Sequence, residues 1–297
     1  MASTIQFLTS RGVIKPPKFV EHPCYEVLMG SVMYGVSDDT SDMDIYGFCI
    51  PPKDMVFPHL AGEIEGFGKQ KKRFEQFQQH HVYETSTERN YDITIYSIVK
   101  FFSLCMDNNP NFINCLYAPQ NSILHSTEVA NMIRNKRKIF IHKGLWHKYK
   151  GYSYSQLHKM RLKNPEPGSK RAAIVGAHGF DCKFGYHLIR LLYEAEMLLT
   201  EGDLDLQRHR EHLKAIRRGD VTQKEVEDWA AEKEKALERA YEASTLPWGP
   251  PEAEIKQLLL SCLEHHYGSI SDCVTILSPA EETMKKIIEA VNTYRGQ

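Results

Sequence analysis

The 297-residue sequence lacks the features that mark several common protein classes. No uninterrupted apolar run is long enough to span a bilayer, and the start of the chain has no secretory pattern, so we expect a cytoplasmic protein without membrane association. Neither a Gly-x-Gly-x-x-Gly motif nor a P-loop occurs, so phosphates would have to be bound in another way. The seven cysteines form no Cys-x-x-Cys pair and are odd in number, which indicates reduced thiols.

The composition is that of an ordinary globular protein. Apolar residues make up 42% of the chain and charged residues 25%, with a formal net charge of −1. The length suits one large domain or two modest ones. A near-neutral total does not exclude nucleic-acid binding, because that depends on local basic patches. The oligomeric state is left open.

The most informative feature is a pair of aspartates that follows a Gly-Ser pair. Residues 25–30 are apolar enough for a buried strand, which ends at Gly30-Ser31. Residues 41–48 alternate in polarity, so Asp42 and Asp44 project from one face of a second strand. Neighbouring carboxylates repel each other and resist burial unless a divalent cation neutralises them. The pattern therefore predicts a two-metal phosphoryl-transfer site, in which Gly30 and Ser31 offer backbone N–H groups and a hydroxyl to phosphates.

Further along the chain, Asp92 is the best candidate for a third metal ligand. It is the lone acid in a strand pattern at 91–95, which passes into a helical pattern at 96–102. If this strand lies beside that of Asp42 and Asp44, the three carboxylates could hold two divalent ions roughly 3.5–4 Å apart. The alternative is that acids at strand ends are simply solvated.

The distribution of elements predicts an α+β fold. The first 120 residues mix strands and helices, with a helix expected to start near 31–34, whereas the remainder is helical. We therefore predict two domains, 1–120 for the mixed sheet and 121–297 for an all-helical domain that closes the nucleotide cleft. Helix signals in the second half are the long amphipathic pattern at 180–199, ended by Gly202, and capping boxes at Thr222/Glu225 and at 278–281.

A cationic stripe lies on the long amphipathic helix. Lys183, His187 and Arg190 recur at i, i+4 and i+7, beside the apolar face. Such a stripe could reach into a cleft and pair with a triphosphate. The competing interpretation is a solvated basic edge.

Other motifs are weaker indicators of function. A basic, aromatic segment at 67–81 is compatible with RNA contact, although a solvated loop is the better interpretation. The same holds for Tyr152, Tyr154, Gln156 and Lys159, which are more simply explained by helix packing. The histidine pairs lack zinc-site spacing and company; they are His80-His81, His142 with His147, and His265-His266.

Taken together, these motifs resemble the DNA polymerase β-like nucleotidyltransferase superfamily. The surroundings are similar to the branch of predicted nucleotidyltransferases associated with RNA ligase and RNA repair (YcgL/RlaP-like). The resemblance spans most of residues 25–265. The residues that carry it are Gly30-Ser31, Tyr34-Gly35, Ser41-Asp42-Met43-Asp44, Lys100-Phe101, Asn109-Pro110-Asn111, Lys183, His187 and Arg190-Leu191-Leu192.

The resemblance implies a mixed-sheet nucleotidyltransferase domain followed by a helical domain. It gives Asp42, Asp44 and Asp92 the catalytic, metal-binding role with two Mg²⁺ or Mn²⁺ ions, and Gly30-Ser31 the triphosphate-binding role. The implied activity transfers a nucleoside monophosphate from an NTP to a hydroxyl, with an RNA 3′ end, such as that of a tRNA under repair, as acceptor. Alternatives are a protein or small-molecule acceptor, or a non-catalytic nucleotide- or RNA-binding module.

Overall fold

The computed structural model describes residues 3–20, 22–36, 42–56, 75–162, 165–268, 280, 283–284 and 286–288. The chain divides into two compact units. The first comprises residues 1–50 and 74–266, and the second comprises residues 51–73 and 267–297. All the candidate site residues belong to the first unit.

The centre of the first unit is a five-stranded mixed sheet with the order β3-β4-β2-β1-β5. The inner strands β2 and β4 run parallel, and every other neighbouring pair is antiparallel. The strands are β1 (Pro23–Leu28), β2 (Met43–Cys49), β3 (Gln76–Glu84), β4 (Arg89–Ser97) and β5 (Ile123–Ser126). Because β5 lies beyond residue 120, the sheet extends past the position at which the sequence analysis divides the chain, and that division stays a prediction.

Helices account for most of the rest of the described chain. They are α1 (Thr4–Ser10), α2 (Lys53–Val56), α3 (Ile98–Met106), α4 (Pro110–Leu116), α5 (Glu128–Asn135), α6 (Leu145–Leu162), α7 (Lys170–His178), α8 (Cys182–Glu201), α9 (Arg210–Arg218), α10 (Gln223–Ala243) and α11 (Glu252–Tyr267). Within the described residues, no helix is both long and apolar enough to traverse a lipid bilayer.

The α+β prediction is confirmed, and its physical basis is the alternation of residues along the two inner strands. Ile45 and Ile93 face one side of the sheet, where they join a buried cluster with Ile5 and Leu8 of α1. Tyr46 and Tyr96 face the other side, where the Phe112 ring of α4 packs against both of them. Asp44 and Asp92 stand on this second side, at the point where the aromatic core ends.

A buried carboxylate attaches α1 to the sheet. Glu26 of β1 is fully buried and accepts hydrogen bonds from the Ser3 hydroxyl and from the backbone N–H groups of Thr4 (2.6 Å) and Ile5 (3.2 Å). The first N–H groups of a helix have no intrahelical partner, and the helix dipole favours negative charge there. Glu26 therefore replaces solvent at the start of α1.

We expect Glu26→Ala to lower the free energy of unfolding by about 2–4 kcal/mol, because it leaves buried donors unsatisfied and opens a cavity. Glu26→Gln keeps one acceptor and should cost less. Chemical denaturation with a two-state fit measures both. Equal stability of Glu26→Ala and wild type would show that solvent satisfies these donors as well as the carboxylate does.

Helix α8 forms the core of the helical half, where it packs against α6, α9 and α10. The predicted helix at 180–199 is confirmed, with a left-handed Gly202 ending it at a φ of 61°. The capping box of Thr222 and Glu225 is confirmed at the start of α10. The box predicted at 278–281 involves residues outside the described chain.

The prediction that a helix starts at 31–34 is wrong. Residues 30–35 form turns, with hydrogen bonds from Gly35 N–H to Val32 C=O (3.0 Å) and from Val36 N–H to Ser31 C=O (2.9 Å). The left-handed Gly30, at a φ of 68°, redirects the chain after β1. The β4-to-α3 junction is confirmed, although α3 begins at Ile98 rather than at Tyr96.

Candidate functional site

The candidate site is built on a corner between β1 and β2. Met29 N–H donates to Asp44 C=O at 2.7 Å, which holds the chain after β1 against β2. An added Cβ at Gly30 would lie 2.5 Å from Asp44 Oδ2, so a side chain there would displace the carboxylate or the corner. Two features therefore favour glycine at position 30, namely its positive φ and the close approach of the Asp44 carboxylate.

The parallel pairing of β2 and β4 brings the second carboxylate beside the first. Asp44 and Asp92 are direct register partners, so their side chains leave adjacent strands on the same face. Neighbouring strands lie about 4.8 Å apart. The structure thus places Asp92 next to Asp44, which is the arrangement the sequence analysis required of it.

The electrostatics of Asp44 reflect this crowding. Burial raises the pKa of Asp44 above its usual value, and the charges of Asp92 and the exposed Asp42 raise the pKa further. Lys183 and His80 oppose these effects. Asp42, Asp44 and Asp92 therefore belong to one electrostatic group, in which ionised Asp44 is destabilised by its neighbours.

A bulge in β3 completes the surroundings of Asp92. The β3–β4 register shifts between Gln79 and Val82, and His81 adopts a left-handed φ of 55°. As a result His81 N–H donates to Asp92 Oδ1 at 2.7 Å, and His80 Nδ1 lies 3.6 Å from the same oxygen. His80 and His81 lack zinc-site spacing and end the 67–81 segment, and their contact with Asp92 was not predicted. The contact depends on the register shift of the bulge, which no residue pattern in β3 indicates.

Lys183 reaches this region from α8, and His187 lies one helical turn further along the same helix. The exposed Lys183 is close enough to Asp44 to lower its pKa. Burial lowers the pKa of His187 well below its usual value, and Arg190, Lys183 and Arg217 lower it further. His187 is therefore neutral at pH 7 and lies in a positively charged environment.

Arg190, the third member of the predicted stripe, has a different role in the structure. It is only 6% exposed, and its Nη1 donates to Glu194 Oε1 (2.6 Å) and to the Tyr34 hydroxyl (2.9 Å). Asn114 Nδ2 also donates to Tyr34 (2.9 Å) and lies 3.2 Å from Glu194. This buried network joins α4, α8 and the turn that follows Gly30-Ser31.

We expect the Tyr34 hydroxyl to stabilise the fold through this network. Tyr34→Phe removes the acceptor for Arg190 and Asn114, so it should lower the free energy of unfolding by about 1–3 kcal/mol. Tyr186→Phe is the matched control, because its hydroxyl is equally buried but has no hydrogen-bond partner among the described residues. Denaturation of both variants checks this, and equal losses would refute the assignment.

The structure describes no complete set of protein ligands for a metal. Among the described residues, no group of three or more His, Cys, Asp or Glu side chains is positioned to hold an ion. What is present is a pair of adjacent carboxylates, Asp44 and Asp92, whose mutual repulsion is only partly relieved. That donor set fits a hard divalent cation such as Mg²⁺, which is commonly held by one or two carboxylates and completed by water and substrate phosphates.

The remaining residues considered from the sequence are not part of the Asp44–Asp92 pair. The basic part of the 67–81 segment, from Lys69 to Arg73, is outside the described residues. On α6, the Tyr152 hydroxyl accepts from Asn109 Nδ2 at 3.0 Å, and Tyr154 is 69% exposed. The six described cysteines are free and buried. Ser31 lies in the turn after Gly30, as predicted.

The fold and site define a class. A mixed sheet whose parallel inner strands present paired aspartates beside a glycine corner, followed by helices, is consistent with the polymerase-β-like fold. The chain belongs to the RlaP family, described as an RNA repair pathway DNA polymerase beta family, whose sequence model matches residues 21–261. A comparison with curated proteins finds no match.

Proposed function

We propose that the protein is a metal-dependent nucleotidyltransferase that moves a nucleoside monophosphate from an NTP to a hydroxyl acceptor. The main support is the direct pairing of Asp44 with Asp92 beside Gly30. Burial and the charge of Asp92 both destabilise ionised Asp44 in the apo protein. A cationic partner would relieve this destabilisation, and family membership favours phosphoryl transfer as the chemistry.

Asp44 and Asp92, with Asp42 at the rim, are the residues that would hold the ions. Divalent cations bound there supply charge neutralisation for the triphosphate and activation of the attacking hydroxyl. His81 N–H fixes one Asp92 oxygen, so the other oxygen is oriented for a ligand. Gly30 allows the Asp44 carboxylate to lie against the backbone, which limits the positions that it can take.

The triphosphate would lie between the glycine corner and α8. The turn at Gly30-Ser31 offers backbone N–H groups and a hydroxyl, and Lys183 offers a charged donor on the opposite side. Neutral His187 can donate one hydrogen bond without the cost of burying a charge. We assign Arg190 a positioning role, since it orients α8 and Tyr34 through the buried network.

Lys183→Ala should raise the KM for NTP about tenfold with a smaller effect on kcat, because a charged hydrogen bond to phosphate contributes about 1.5–3 kcal/mol. Lys256→Ala on α11 is a suitable control, as it removes another exposed lysine. Steady-state kinetics at saturating Mg²⁺ measures both. An unchanged KM would show that Lys183 belongs to a solvated edge of α8 and does not contact the NTP.

For the acceptor we propose an RNA 3′ end, which agrees with a family placed in an RNA repair pathway. The test incubates the protein with each labelled NTP, Mg²⁺ or Mn²⁺, and a total RNA pool. Label in RNA that requires the wild-type Asp44 supports the proposal. Label in protein would identify a protein acceptor, and an absence of metal-dependent label with every NTP would favour a non-catalytic binding module.

A further inference from the structure

A line of cations runs along α9 outside the proposed triphosphate site. Arg210, Lys214 and Arg217 recur at i, i+4 and i+7, so they share one stripe of the helix. At 1.5 Å per residue the stripe is about 10 Å long. Leu213 and Ile216 on the adjoining face are buried and fix α9 against the protein. We call these three cations the α9 stripe.

The two ends of the α9 stripe lie against the turn after Gly30-Ser31 and against α8. At one end, the Arg210 Cδ lies 3.6 Å from the position that a Cβ on Gly35 would occupy, within the turn that follows Gly30-Ser31. At the other end, the Arg217 guanidinium lies 5.8 Å from the Tyr186 ring, which itself contacts the His187 ring at 4.7 Å. The stripe therefore runs from the turn at Gly35 to the Tyr186 ring of α8.

The ion pairs of Arg210 and Lys214 within the stripe are solvent-exposed and can be exchanged. Glu211 pairs with Lys214 (3.1 Å) and with Arg210 (3.4 Å), but its side chain is 73% exposed. Exposed ion pairs of this kind contribute little free energy, so a phosphate can replace the carboxylate at small cost. An acceptor strand whose end reaches Asp44 and Asp92 must pass one flank of the site, and α9 is a basic helix that lies against the turn after Gly30-Ser31.

We propose that the α9 stripe binds the sugar-phosphate backbone of the single-stranded RNA acceptor. This inference rests on the proposed function for its substrate, but it assigns a surface which that function does not require. It places strand binding on α9 rather than on the basic segment at 67–81. Because the contacts are to phosphates, the stripe should bind strands of different sequence with similar affinity.

The experiment measures binding without catalysis. Anisotropy of a fluorescein-labelled single-stranded RNA of about a dozen nucleotides is followed in EDTA, without NTP, as salt rises from about 50 to 200 mM. The test variant is Arg210→Gln/Lys214→Gln/Arg217→Gln. The matched control removes three exposed cations from α10, Lys224→Gln/Lys235→Gln/Arg239→Gln.

We expect the stripe variant to lose at least about tenfold in affinity at low salt. The slope of log affinity against log salt should fall by about two, since each single-strand phosphate contact contributes roughly 0.7. The control should retain most of the wild-type slope. Arg210→Lys/Arg217→Lys should bind RNA nearly as well as wild type, because it keeps the charges. This variant separates an effect of lost charge from an effect of disturbed folding.

Equal losses in the stripe and control variants would overturn the inference, because binding would then depend on net charge alone. Displacement of RNA by poly-glutamate of equal charge would also overturn it and would indicate an acidic protein as the partner. The experiment distinguishes failure of this inference from failure of the proposed function. A protein that lacks transferase activity but binds RNA through the stripe would refute the proposed function and leave this inference intact. An active enzyme whose stripe variant binds RNA normally refutes it.

Discussion

Asp44→Asn is expected to reduce nucleotidyl transfer by about a thousandfold or more. The substitution removes a charged ligand of the proposed metal site, and loss of metal-assisted charge stabilisation costs several kcal/mol of transition-state free energy. Asparagine has nearly the shape of aspartate, so the corner at Gly30 stays intact. Single-turnover assays with saturating NTP and Mg²⁺ measure the chemical step directly.

The same variant should be more stable than wild type in the absence of metal. Because burial and Asp92 raise the folded-state pKa of Asp44, its ionisation destabilises the fold at neutral pH. The destabilisation is complete above the folded pKa, and it disappears as pH falls through that value towards the usual range of aspartate. Asp44→Asn should therefore raise the Tm at pH 7, and the gain should vanish near pH 4.

Asp228→Asn on α10 is the control, since Asp228 is an exposed aspartate paired only with Lys224 among the described residues. It should leave activity unchanged and the Tm nearly so. Retention of near-normal activity by Asp44→Asn at saturating Mg²⁺ would show that the metal site is elsewhere. A lower Tm for Asp44→Asn in EDTA would contradict the inferred repulsion.

The second large effect is expected from Gly30→Ala. A Cβ at this position would lie 2.5 Å from Asp44 Oδ2, so the carboxylate or the corner must move. Displacement of a reacting group by about 1 Å can cost a hundredfold in rate. The positive φ adds about 1–2 kcal/mol of strain. We expect transfer to fall at least a hundredfold, together with a measurable loss of stability.

Gly12→Ala separates these two effects. Gly12 has a φ of 71°, close to that of Gly30, but nothing lies within 4 Å of an added Cβ. It should lose a similar amount of backbone stability and keep full activity. Comparable activity in the two variants would mean that the close contact between Gly30 and Asp44 has no functional role.

The sequence predicted the inner part of the site because it depends on local patterns. Alternation along β2 and β4 determines which residues share a face, and a carboxylate in an apolar strand is conspicuous at Asp44 and Asp92. The register that pairs them could not be derived from the sequence, since parallel pairing is a long-range contact. The resemblance supplied the expectation that these strands are neighbours.

Other parts of the site depend on tertiary structure and were not predictable from local patterns. The left-handed His81 and the β3 bulge leave no sequence signature comparable to that of a glycine. Helical spacing placed Lys183, His187 and Arg190 on one stripe, but it did not indicate that Arg190 is buried against Glu194 and Tyr34. Spacing gives the face of a helix, whereas burial depends on what packs against that face.

The most direct test of the proposed site is the binding of Mn²⁺ in the presence of a non-hydrolysable NTP analogue. Electron paramagnetic resonance of free Mn²⁺ gives the number of ions bound per chain for wild type, Asp44→Asn and Asp92→Asn. Paired carboxylates that cage cations together predict two bound ions in wild type and the loss of at least one in each variant. Wild-type stoichiometry and affinity in both variants would contradict a metal site at Asp44 and Asp92.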